Sequence, residues 1–522
     1  MGTTRFASRT LVASLALATL LAGVAAVRWS SRYRLGTSWD ESDYLNQVVR
    51  LVQDARGHGV AHAARQVRWT DNIRPPAYRV VAFPVGYWLG SDPRTLRALS
   101  LAAFVLTGVL VYGGARLVSD SRVAMLAGVV MVVSYAPLWA SAHFGTEYVL
   151  YVAVAGMFYG LLYFLIRPPA PARSVAWMGL TAALALGALS KTSFALIAVP
   201  AVLTFLAVAW RFGLPARDRW AVGAASCAAL LLVAPWWIVN ARSAIAYARY
   251  ASAFIRHSFP WLSAAFWTLL GPPVTALLVA LLVVVAVRWR LVRGAMTPQA
   301  LAPLAVCVAG AAPLFVAHLL GMNHNMRLVS PALVPAILAV ALIAQASAAL
   351  ELRHAAAAAG VVIVLQGAYM WRQFATADVD QWDWEPLRAL STQHGLPFPD
   401  IRYLGNGSAF NPPAIAYPWV LHGDSSRVSW LWRFEDGPPD WARIAAERDS
   451  ADIVLTAPGF TGVASSNQPR DNRYNSDFAE TLKTLPEFEP PVELHMGPDR
   501  TGVLVFFRRR GPAASRGPAG RS

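Results

Sequence analysis

The sequence predicts an α-helical polytopic membrane protein with about 11 transmembrane helices, followed by a small α/β domain. Of its 522 residues, 56% are hydrophobic and only 14% are charged, whereas average soluble proteins have about 25% charged residues. The acids are also unevenly distributed, because 19 of the 29 Asp and Glu residues lie after residue 371. This composition excludes a disordered chain, argues against an ordinary soluble enzyme and assigns the acid-poor part of the chain to the membrane.

Eleven apolar stretches have the length of about 20 residues that a helix needs to cross a bilayer. They run at about 10–27, 97–115, 123–141, 147–166, 174–190, 193–210, 220–239, 264–287, 300–320, 328–347 and 355–371. With a cytoplasmic N-terminus, the cytoplasmic segments carry thirteen Arg and Lys residues and the short outer loops carry five. Because cytoplasmic loops are enriched in these residues, the asymmetry fixes this orientation and predicts an inner-membrane protein with an extracytoplasmic C-terminal domain.

The first apolar stretch also fits a cleavable signal peptide, since it has a basic start, an apolar core and small residues near its end at Ala25 and Ala26. We favour an uncleaved anchor, and cleavage would leave the orientation of the other spans unchanged. The net charge of +16 does not predict nucleic-acid binding, because the Arg residues stand in short clusters between apolar runs, as in membrane proteins. Cys227 and Cys307 both lie inside apolar runs, so neither a disulfide framework nor a Cys-based metal site is expected.

Two stretches are too polar to cross the membrane, and they define the domains. The first is the outside loop 28–96, and the second begins at residue 372. We predict a transmembrane domain over 1–371, an extracytoplasmic soluble domain over 372–510 and a disordered tail over 511–522. In the soluble domain, Ile453–Thr456 and Gly502–Phe507 have the apolar, β-branched and aromatic composition of strands.

The first outside loop contains an amphipathic helix that is preceded by a cluster of acids. Its predicted apolar face holds Leu45, Val48, Val49, Val52 and Ala55, and its polar face holds Asn46, Gln47, Arg50, Gln53 and Asp54. Such a helix is expected to lie at the membrane surface. Ser38 and Glu41 have the spacing of a capping box, which explains Glu41 but not Asp40. The alternative for these acids is a general base at the lipid interface.

These residues belong to a series that resembles the GT-C glycosyltransferases. Trp39-Asp40-Glu41-Ser42-Asp43-Tyr44-Leu45 and Arg74-Pro75-Pro76-Ala77-Tyr78 resemble the first outside loop of the branch that holds protein O-mannosyltransferases and lipid A aminoarabinose transferases. Further matches are Arg97–Leu117 to the second span, Gly145-Thr146-Glu147 to an acidic turn, Leu189-Ser190-Lys191-Thr192 to a "TKG" turn, Pro235-Trp236-Trp237 to a "PWY" element and Arg327-Leu328-Val329-Ser330-Pro331-Ala332-Leu333 to "RYLLPALP". The resemblance covers about residues 35–345.

The resemblance implies a membrane glycosyltransferase with a transmembrane catalytic domain over 1–371. Such an enzyme takes a hexose or pentose from a polyprenyl-phosphate carrier and passes it to a hydroxyl of an acceptor glycan, lipid or protein outside the cytoplasm. The chain has neither a GxGxxG sequence after a predicted strand nor a P-loop, which agrees with a donor that is not a nucleotide sugar. Two other classes stay open: a polysaccharide polymerase or ligase, and a multi-pass transporter or flippase. A transporter would be expected to show charges within spans or paired repeats.

The resemblance also implies roles for particular residues. Asp40 matches the catalytic aspartate and would accept the proton of the acceptor. Glu41 matches the second acid of the pair, with capping as its alternative. Donor phosphate would be bound by cations, here Arg74, Lys191 and Arg327, for which binding of lipid headgroups is the alternative. Tyr44, Glu147 and His143 are the predicted substrate-binding residues, and Glu147 has an ordinary turn acid as its alternative.

No cofactor is assigned, and a divalent metal is left open. His143, His318 and His324 all lie near outer ends of spans, but their sequence separation is too large for any local ligand spacing. Substrate-contacting or interfacial His residues are therefore favoured over a zinc site. One departure from the family leaves the sugar open: aminoarabinose transferases have a basic residue at the position of Asp43.

Overall fold

The chain divides into two compact units. The computed structural model describes residues 2–166, 173–252, 267, 269–296, 298–320, 325–347, 355–377, 379, 381–432, 440–462 and 468–509. Unit 1 consists of Met1–Arg32 and His58–Ala377, and unit 2 consists of Tyr33–Gly57 and Asp378–Ser522. The predicted tail 511–522 and His324 lie outside the described residues.

Unit 1 is helical throughout its described part. In chain order its helices are α1 (Gly2–Arg32), α3 (Val60–Thr70), α4 (Ala77–Leu89), α5 (Pro93–Val118), α6 (Ser121–Val133), α7 (Tyr135–Ala142), α8 (Glu147–Ile166), α9 (Arg173–Ala188), α10 (Phe194–Arg211), α11 (Ala216–Ser252), α12 (Pro272–Val287), α13 (Trp289–Ala295), α14 (Pro298–Leu320), α15 (Met326–Val329), α16 (Leu333–Ser347) and α17 (Ala355–Thr376). A single 3₁₀ turn, Ser330–Ala332, joins α15 to α16. The helix between α1 and α3 in the sequence is α2 (Trp39–His58), and all but its last residue belongs to unit 2.

The predicted polytopic membrane fold is confirmed. Seven helical segments of the described chain are long and apolar enough to cross a bilayer, and α6 with α7 forms an eighth that is bent by 52°. The seven are Thr10–Arg32, Pro93–Val118, Glu147–Ile166, Phe194–Arg211, Ala216–Arg249, Ala300–Leu320 and Met326–Ser347. Two more predicted spans coincide with the shorter apolar helices Ser174–Ala188 and Pro272–Val287, and the last coincides with α17. Each of the eleven predicted spans thus overlaps a helix or a helix pair.

Local sequence explains how the second span begins and how it packs. Asp92 caps α5, since its Oδ1 accepts hydrogen bonds from the backbone N–H groups of Arg94 (2.9 Å) and Thr95 (3.3 Å). Further along, α5 and α6 approach closely at Gly108 and Gly128. A methyl group on Gly128 would lie 3.0 Å from the carbonyl oxygen of Gly108, so small residues are needed at this crossing.

Helix α8 is the most enclosed of the spans. Of its apolar stretch, 78% is buried inside the protein, compared with 28–67% for the other full-length spans. It packs against α5 and α9, and it begins at Glu147. A charged side chain at the end of an enclosed helix requires partners, because an unpaired charge away from water is costly.

Unit 2 contains a five-stranded mixed sheet. The strands are β1 (Asp400–Leu404), β2 (Arg427–Trp430), β3 (Ile453–Thr456), β4 (Val492–His495) and β5 (Gly502–Phe507), in the order β2-β1-β3-β5-β4. β2, β1 and β3 are parallel, whereas β5 runs antiparallel to β3 and β4. The predicted strands Ile453–Thr456 and Gly502–Phe507 coincide with β3 and β5, so the predicted α/β character is confirmed.

Helices cover both faces of this sheet. They are α18 (Glu385–Gln393), α19 (Pro412–Leu421), α20 (Trp441–Arg448), α21 (Gln468–Asn472) and α22 (Asn475–Lys483). Trp384, Phe410 and Trp419 form one core with the sheet, and Phe478, Phe488 and Phe506 belong to a second. Burial of large aromatic side chains on both faces is the main source of stability for such a layered unit.

Helix α2 of the first outside loop packs within unit 2. Its predicted apolar face is buried from Leu45 to Ala55, as expected for an amphipathic helix. One residue of the predicted polar face is buried as well: Asn46 is 5% exposed, and its Nδ2 donates to the carbonyl oxygen of Pro413 at 2.8 Å. Gln53 Nε2 donates to the carbonyl oxygen of Val420 at 2.5 Å. The amide groups of α2 therefore fix this helix against α19.

Candidate active site

A buried acid and two cations meet at helix ends in unit 1. Glu147 Oε1 lies 2.7 Å from Lys191 Nζ and 3.1 Å from Arg327 Nε. The side chain of Glu147 is 3% exposed, whereas those of Lys191 and Arg327 are 21% and 31% exposed. The carboxylate is thus enclosed while both cations reach a surface. We call Glu147, Lys191 and Arg327 the ion triad.

Each member of the ion triad is held by its local fold. Glu147 is the first residue of α8, where the helix dipole favours a negative charge. Lys191 lies in the turn between α9 and α10, and its backbone N–H donates to the carbonyl oxygen of Gly187 at 3.4 Å. Arg327 lies in the first turn of α15, where its N–H donates to the side chain of the capping residue Asn325 at 3.0 Å. The start of α8, the turn between α9 and α10, and α15 therefore contribute one group each.

Hydrogen bonds around the ion triad join segments whose sequences resemble glycosyltransferase motifs. Ala77 N–H donates to the carbonyl oxygen of Leu189 at 2.8 Å, and Trp237 Nε1 donates to that of Ala188 at 3.1 Å. The hydroxyl of Tyr148, next to Glu147, donates to the carbonyl oxygen of Tyr78 at 2.7 Å. One turn further along α8, the hydroxyls of Tyr151 and Ser330 are 2.5 Å apart.

As a result, five short segments that are far apart in the sequence meet in one place. They are the segments around Ala77, Glu147, Lys191, Trp237 and Arg327. The sixth, Arg97–Leu117, lies in α5, which packs against α8 with Phe104 and Tyr151 ring centroids 5.7 Å apart.

Arg74 lies three residues before Ala77 and is positioned by Asp71. Asp71 Oδ1 accepts hydrogen bonds from the N–H groups of Ile73 and Arg74, both at 3.0 Å, and its Oδ2 is 3.8 Å from Arg74 Nη1. The guanidinium carbon of Arg74 lies 5.6 Å from the ring centroid of Tyr247, which is a cation–π contact. Its side chain is 11% exposed. Asp71 was not among the predicted site residues, although an Asp can form an Asx turn with the N–H two residues on, here that of Ile73.

His143 lies in an aromatic cluster. Its Nδ1 is 2.8 Å from the carbonyl oxygen of Trp139, and its ring centroid is 4.7 Å from that of Trp29 and 5.2 Å from that of Trp139. These contacts join His143 to α1 and α7. A direct contact with substrate stays a prediction.

The three predicted site residues of α2 lie in unit 2. Glu41 is 1% exposed, and its Oε2 accepts hydrogen bonds from the N–H (2.6 Å) and the hydroxyl (2.7 Å) of Thr37. Ser38 Oγ accepts from the N–H of Glu41 at 3.2 Å. This is the geometry of a capping arrangement at the start of a helix. Asp40 is half-buried in the first turn of α2, and Tyr44 is buried.

The charges of the ion triad suit an anion. Two cations and one carboxylate leave a net charge of +1, and the cations are the exposed members. Arginine offers several N–H donors in a planar fork, and lysine offers three, so both bind phosphate oxygens well. A divalent metal does not fit at Glu147, because the neighbours of its Oε1 are themselves cations.

Comparison with protein families gives a match over residues 75–239 to the family described as dolichyl-phosphate-mannose-protein mannosyltransferase. The matched region contains the segments around Ala77, Glu147, Lys191 and Trp237. Among curated proteins, no sequence matches this chain significantly.

Solved structures similar to this chain include ArnT from Cupriavidus metallidurans. In the apo state it gives a TM-score of 0.57 at 13% identity, covering 96% of this chain and 98% of ArnT. Bound to undecaprenyl phosphate it gives 0.56 at 14% identity, covering 95% and 97%. The archaeal oligosaccharyltransferase AglB from Archaeoglobus fulgidus, in complex with an inhibitory peptide and a dolichol-phosphate, gives 0.52 at 12% identity, covering 97% and 75%.

These likenesses indicate the fold class. The fold is similar to that of ArnT over nearly the whole length of the chain. Together with the match to the mannosyltransferase family over residues 75–239, it supports the predicted resemblance of the chain to multi-pass membrane glycosyltransferases such as ArnT and protein mannosyltransferases.

Proposed function

We propose that this protein transfers a sugar from a polyprenyl-phosphate carrier to a hydroxyl of a cell-envelope glycan, lipid or protein at the outer face of the inner membrane. The observation that carries this proposal is the ion triad. It combines an enclosed carboxylate with two partly exposed cations at the ends of membrane-spanning helices. A carrier that is confined to the bilayer presents its phosphate at such a position.

The cations of the ion triad can stabilise the negative charge of a lipid-phosphate leaving group. When the bond from the sugar to the phosphate breaks, negative charge develops on the phosphate oxygens, and preorganised cations stabilise it. Lys191 and Arg327 supply this stabilisation, and Glu147 holds both cations in place before the substrate arrives. Arg74, positioned by Asp71 and Tyr247, is the third donor-phosphate residue of the proposal.

The acceptor side of the reaction is assigned to α2. Asp40, half-buried in the first turn of this helix, accepts the proton of the acceptor hydroxyl as general base. Glu41 supports it by capping the helix through Thr37. Tyr44 and His143 are retained as substrate-binding residues.

The decisive experiment combines cell-envelope analysis with an assay in vitro. Mass spectrometry of lipids and glycans from cells with and without the protein identifies the accumulated carrier and the missing product. The purified protein in nanodiscs is then incubated with that carrier and acceptor. Transfer of one sugar with release of the polyprenyl phosphate supports the proposal. Carrier accumulation without any transfer by the purified protein, or transport of the intact carrier across the bilayer, contradicts it.

Lys191→Ala and Arg74→Ala are each expected to weaken use of the lipid-linked donor. A charge-assisted hydrogen bond contributes about 1.5–3 kcal/mol, so kcat/KM for the donor should fall roughly ten- to a hundredfold. Lys191→Arg, which retains the charge, should recover part of the loss. Steady-state kinetics with varied donor concentration measures both effects.

Arg211→Ala is the matched control for these variants. Arg211 is exposed in the last turn of α10, whereas Lys191 lies just before its first turn. A helix of 18 residues is about 27 Å long, so Arg211 and Lys191 lie near opposite ends of one span. If Arg211→Ala reduces donor use as much as Lys191→Ala does, both cations act through lipid headgroups.

Residues after 377 are expected to lie outside the cytoplasm, because the thirteen-to-five distribution of Arg and Lys places the C-terminal region there. A reporter that is active only in the cytoplasm should be silent when fused after Ala377. The same reporter fused after Asp120, in the predicted cytoplasmic loop between α5 and α6, should be active. The reverse pattern would invert the topology and remove the assignment of an extracytoplasmic reaction.

No cofactor is assigned in this proposal, and dependence on a divalent metal is left open. It is tested by comparing transfer in the presence of a chelator with transfer after addition of Mg²⁺, Mn²⁺ or Zn²⁺. Full activity in the chelator would show that the cations of the protein suffice.

A further inference from the structure

A cleft in unit 2 is lined by polar groups that the proposed chemistry does not yet use. It has a volume of about 300 Å³ and lies between one face of α2, the start of α19 and the start of β2. Small-molecule pockets typically have about 300–1,000 Å³, so this cleft has room for a single sugar unit. The residues that α2 contributes include Trp39, Asp43, Asn46 and Arg50, whose spacings of three and four place them on one helical face.

Two buried polar atoms at this cleft have no hydrogen-bond partner among the residues that the structure describes. They are Asn46 Oδ1 and Ser426 Oγ. Asn46 is 95% buried, and its Nδ2 donates a hydrogen bond to the carbonyl oxygen of Pro413. This bond fixes the orientation of the amide group, and Oδ1 is the atom of that group that still needs a hydrogen-bond donor. A buried polar atom without a partner is destabilising, because it has lost its hydrogen bonds to water. A ligand that donates to Asn46 and hydrogen-bonds with Ser426 would remove this cost.

The other lining groups specify which ligand fits. Trp39 offers an aromatic surface, held on one side by Trp430 at a centroid distance of 4.5 Å. The charged residues among the described lining are Asp43 and Arg50, which cancel, so the cleft has no net charge with which to attract an anion. An apolar ring face combined with hydroxyl, amide and carboxylate groups is complementary to a pyranose, which has an apolar C–H face and a rim of hydroxyls.

We infer that this cleft binds a neutral sugar unit of the acceptor. This inference rests on the proposed function and specifies the acceptor as a carbohydrate or a glycoconjugate. Trp39 directly precedes Asp40, and Asp43 follows Asp40 by three residues, which is close to one helical turn. A sugar on this helical face is therefore bound by the immediate neighbours of the proposed general base. A donor sugar carries a phosphate at its anomeric carbon, which needs cations, and the cleft has no net positive charge.

Ser426→Ala and Ser425→Ala form the sharpest pair of variants. Ser426 Oγ has no hydrogen-bond partner in the described part of the chain, so its removal is expected to leave folding intact. Ser425 is its exposed neighbour and is not part of the lining, so Ser425→Ala is the same chemical change outside the cleft. A neutral hydrogen bond contributes about 0.5–1.5 kcal/mol, which corresponds to about a two- to tenfold loss of sugar affinity for Ser426→Ala alone. Asp43→Asn should cost about tenfold or more, because its hydrogen bonds to sugar hydroxyls are charge-assisted.

Binding is measured by saturation-transfer NMR on the full-length protein in phosphatidylcholine nanodiscs. The probes are neutral methyl hexopyranosides, with glucuronate and inorganic phosphate as anionic probes. We expect millimolar binding of at least one neutral glycoside, weakened by Ser426→Ala and Asp43→Asn but not by Ser425→Ala. No binding of any neutral glycoside, equal binding by Ser426→Ala and Ser425→Ala, or displacement of the glycoside by phosphate would overturn the inference.

Kinetics separates this inference from the proposed function. With the envelope acceptor fraction, Ser426→Ala and Asp43→Asn should raise the acceptor KM by the same factors and leave the donor KM unchanged. A rise in the donor KM alone would assign the cleft to the donor and overturn the inference. If the wild-type protein binds glycosides but does not consume the lipid-linked donor, the proposed function is wrong. If it consumes the donor but its acceptor KM does not respond to either variant, the inference about the cleft is wrong.

Discussion

Asp40→Asn is expected to lower the rate of sugar transfer by at least about 10²-fold, the low end of contributions by a general base. An asparagine has the same shape as an aspartate but cannot take up the proton of the acceptor hydroxyl. The capping of α2 does not depend on Asp40, because the capping hydrogen bonds come from Ser38 Oγ and from the carboxylate of Glu41. Loss of a charge near a helix N-terminus costs only about 0.3–1 kcal/mol, so the variant should remain folded.

Glu41→Gln is the matched control for Asp40→Asn. It removes a charge from the next residue, but this charge accepts two hydrogen bonds from Thr37. We therefore expect a lower unfolding temperature and a smaller loss of transfer than for Asp40→Asn. Transfer is measured with saturating donor and acceptor, and unfolding by a thermal scan in detergent. Near-normal turnover of a well-folded Asp40→Asn protein would remove Asp40 as the base and direct the search to Glu41 and Glu147.

The membrane fold was predictable because its signals are long and strong. A run of about 20 apolar residues has few structural solutions, and each of the eleven predicted stretches overlaps a helix or a helix pair. Within unit 2, the apolar runs Ile453–Thr456 and Gly502–Phe507 were likewise sufficient to predict two strands. Of the other three strands, β2 and β4 have only half-buried and exposed residues, and β1 carries Asp400 and Arg402 among its five residues, so none has the apolar run on which such a prediction depends.

The site was predictable as a set of residue types but not as a geometry. The sequence places Glu147, Lys191 and Arg327 near the outer ends of different spans, yet it contains no signal that Glu147 contacts both cations. That contact depends on the packing of α8 with the turn after α9 and with α15, which is a property of the tertiary fold. The same holds for Asn46, which periodicity assigns to the polar face of α2. Its burial depends on the carbonyl oxygen of Pro413, 367 residues away.

Glu147→Gln is expected to destabilise the protein more than Lys191→Met does. Removing one partner of a fully buried ion pair lowers the free energy of unfolding by about 3–5 kcal/mol. Because both cations are partly exposed, we expect the loss of unfolding free energy here to lie below this range. Glu147→Gln leaves Lys191 and Arg327 close together without their shared carboxylate. In Lys191→Met, by contrast, Glu147 keeps Arg327 as its partner at 3.1 Å, so the loss should be smaller.

The double variant Glu147→Gln, Lys191→Met separates the structural role of the ion triad from its role in transfer. One of the two adjacent cations is then gone, so the double variant should be more stable than the sum of the single losses predicts, with a coupling of about 0.5–3 kcal/mol. Transfer should not recover, because the phosphate-binding lysine is still missing. Unfolding in detergent and donor kinetics are measured on the wild-type protein, the two single variants and the double variant, and give the coupling and the rate of transfer.

Glu385→Gln is the control, since its ion pair with Arg388 in unit 2 has a carboxylate that is 44% exposed and should contribute less than about 1 kcal/mol. Additive losses of stability, or recovery of transfer in the double variant, would contradict the assignment of Lys191 to donor phosphate and of Glu147 to holding it in place.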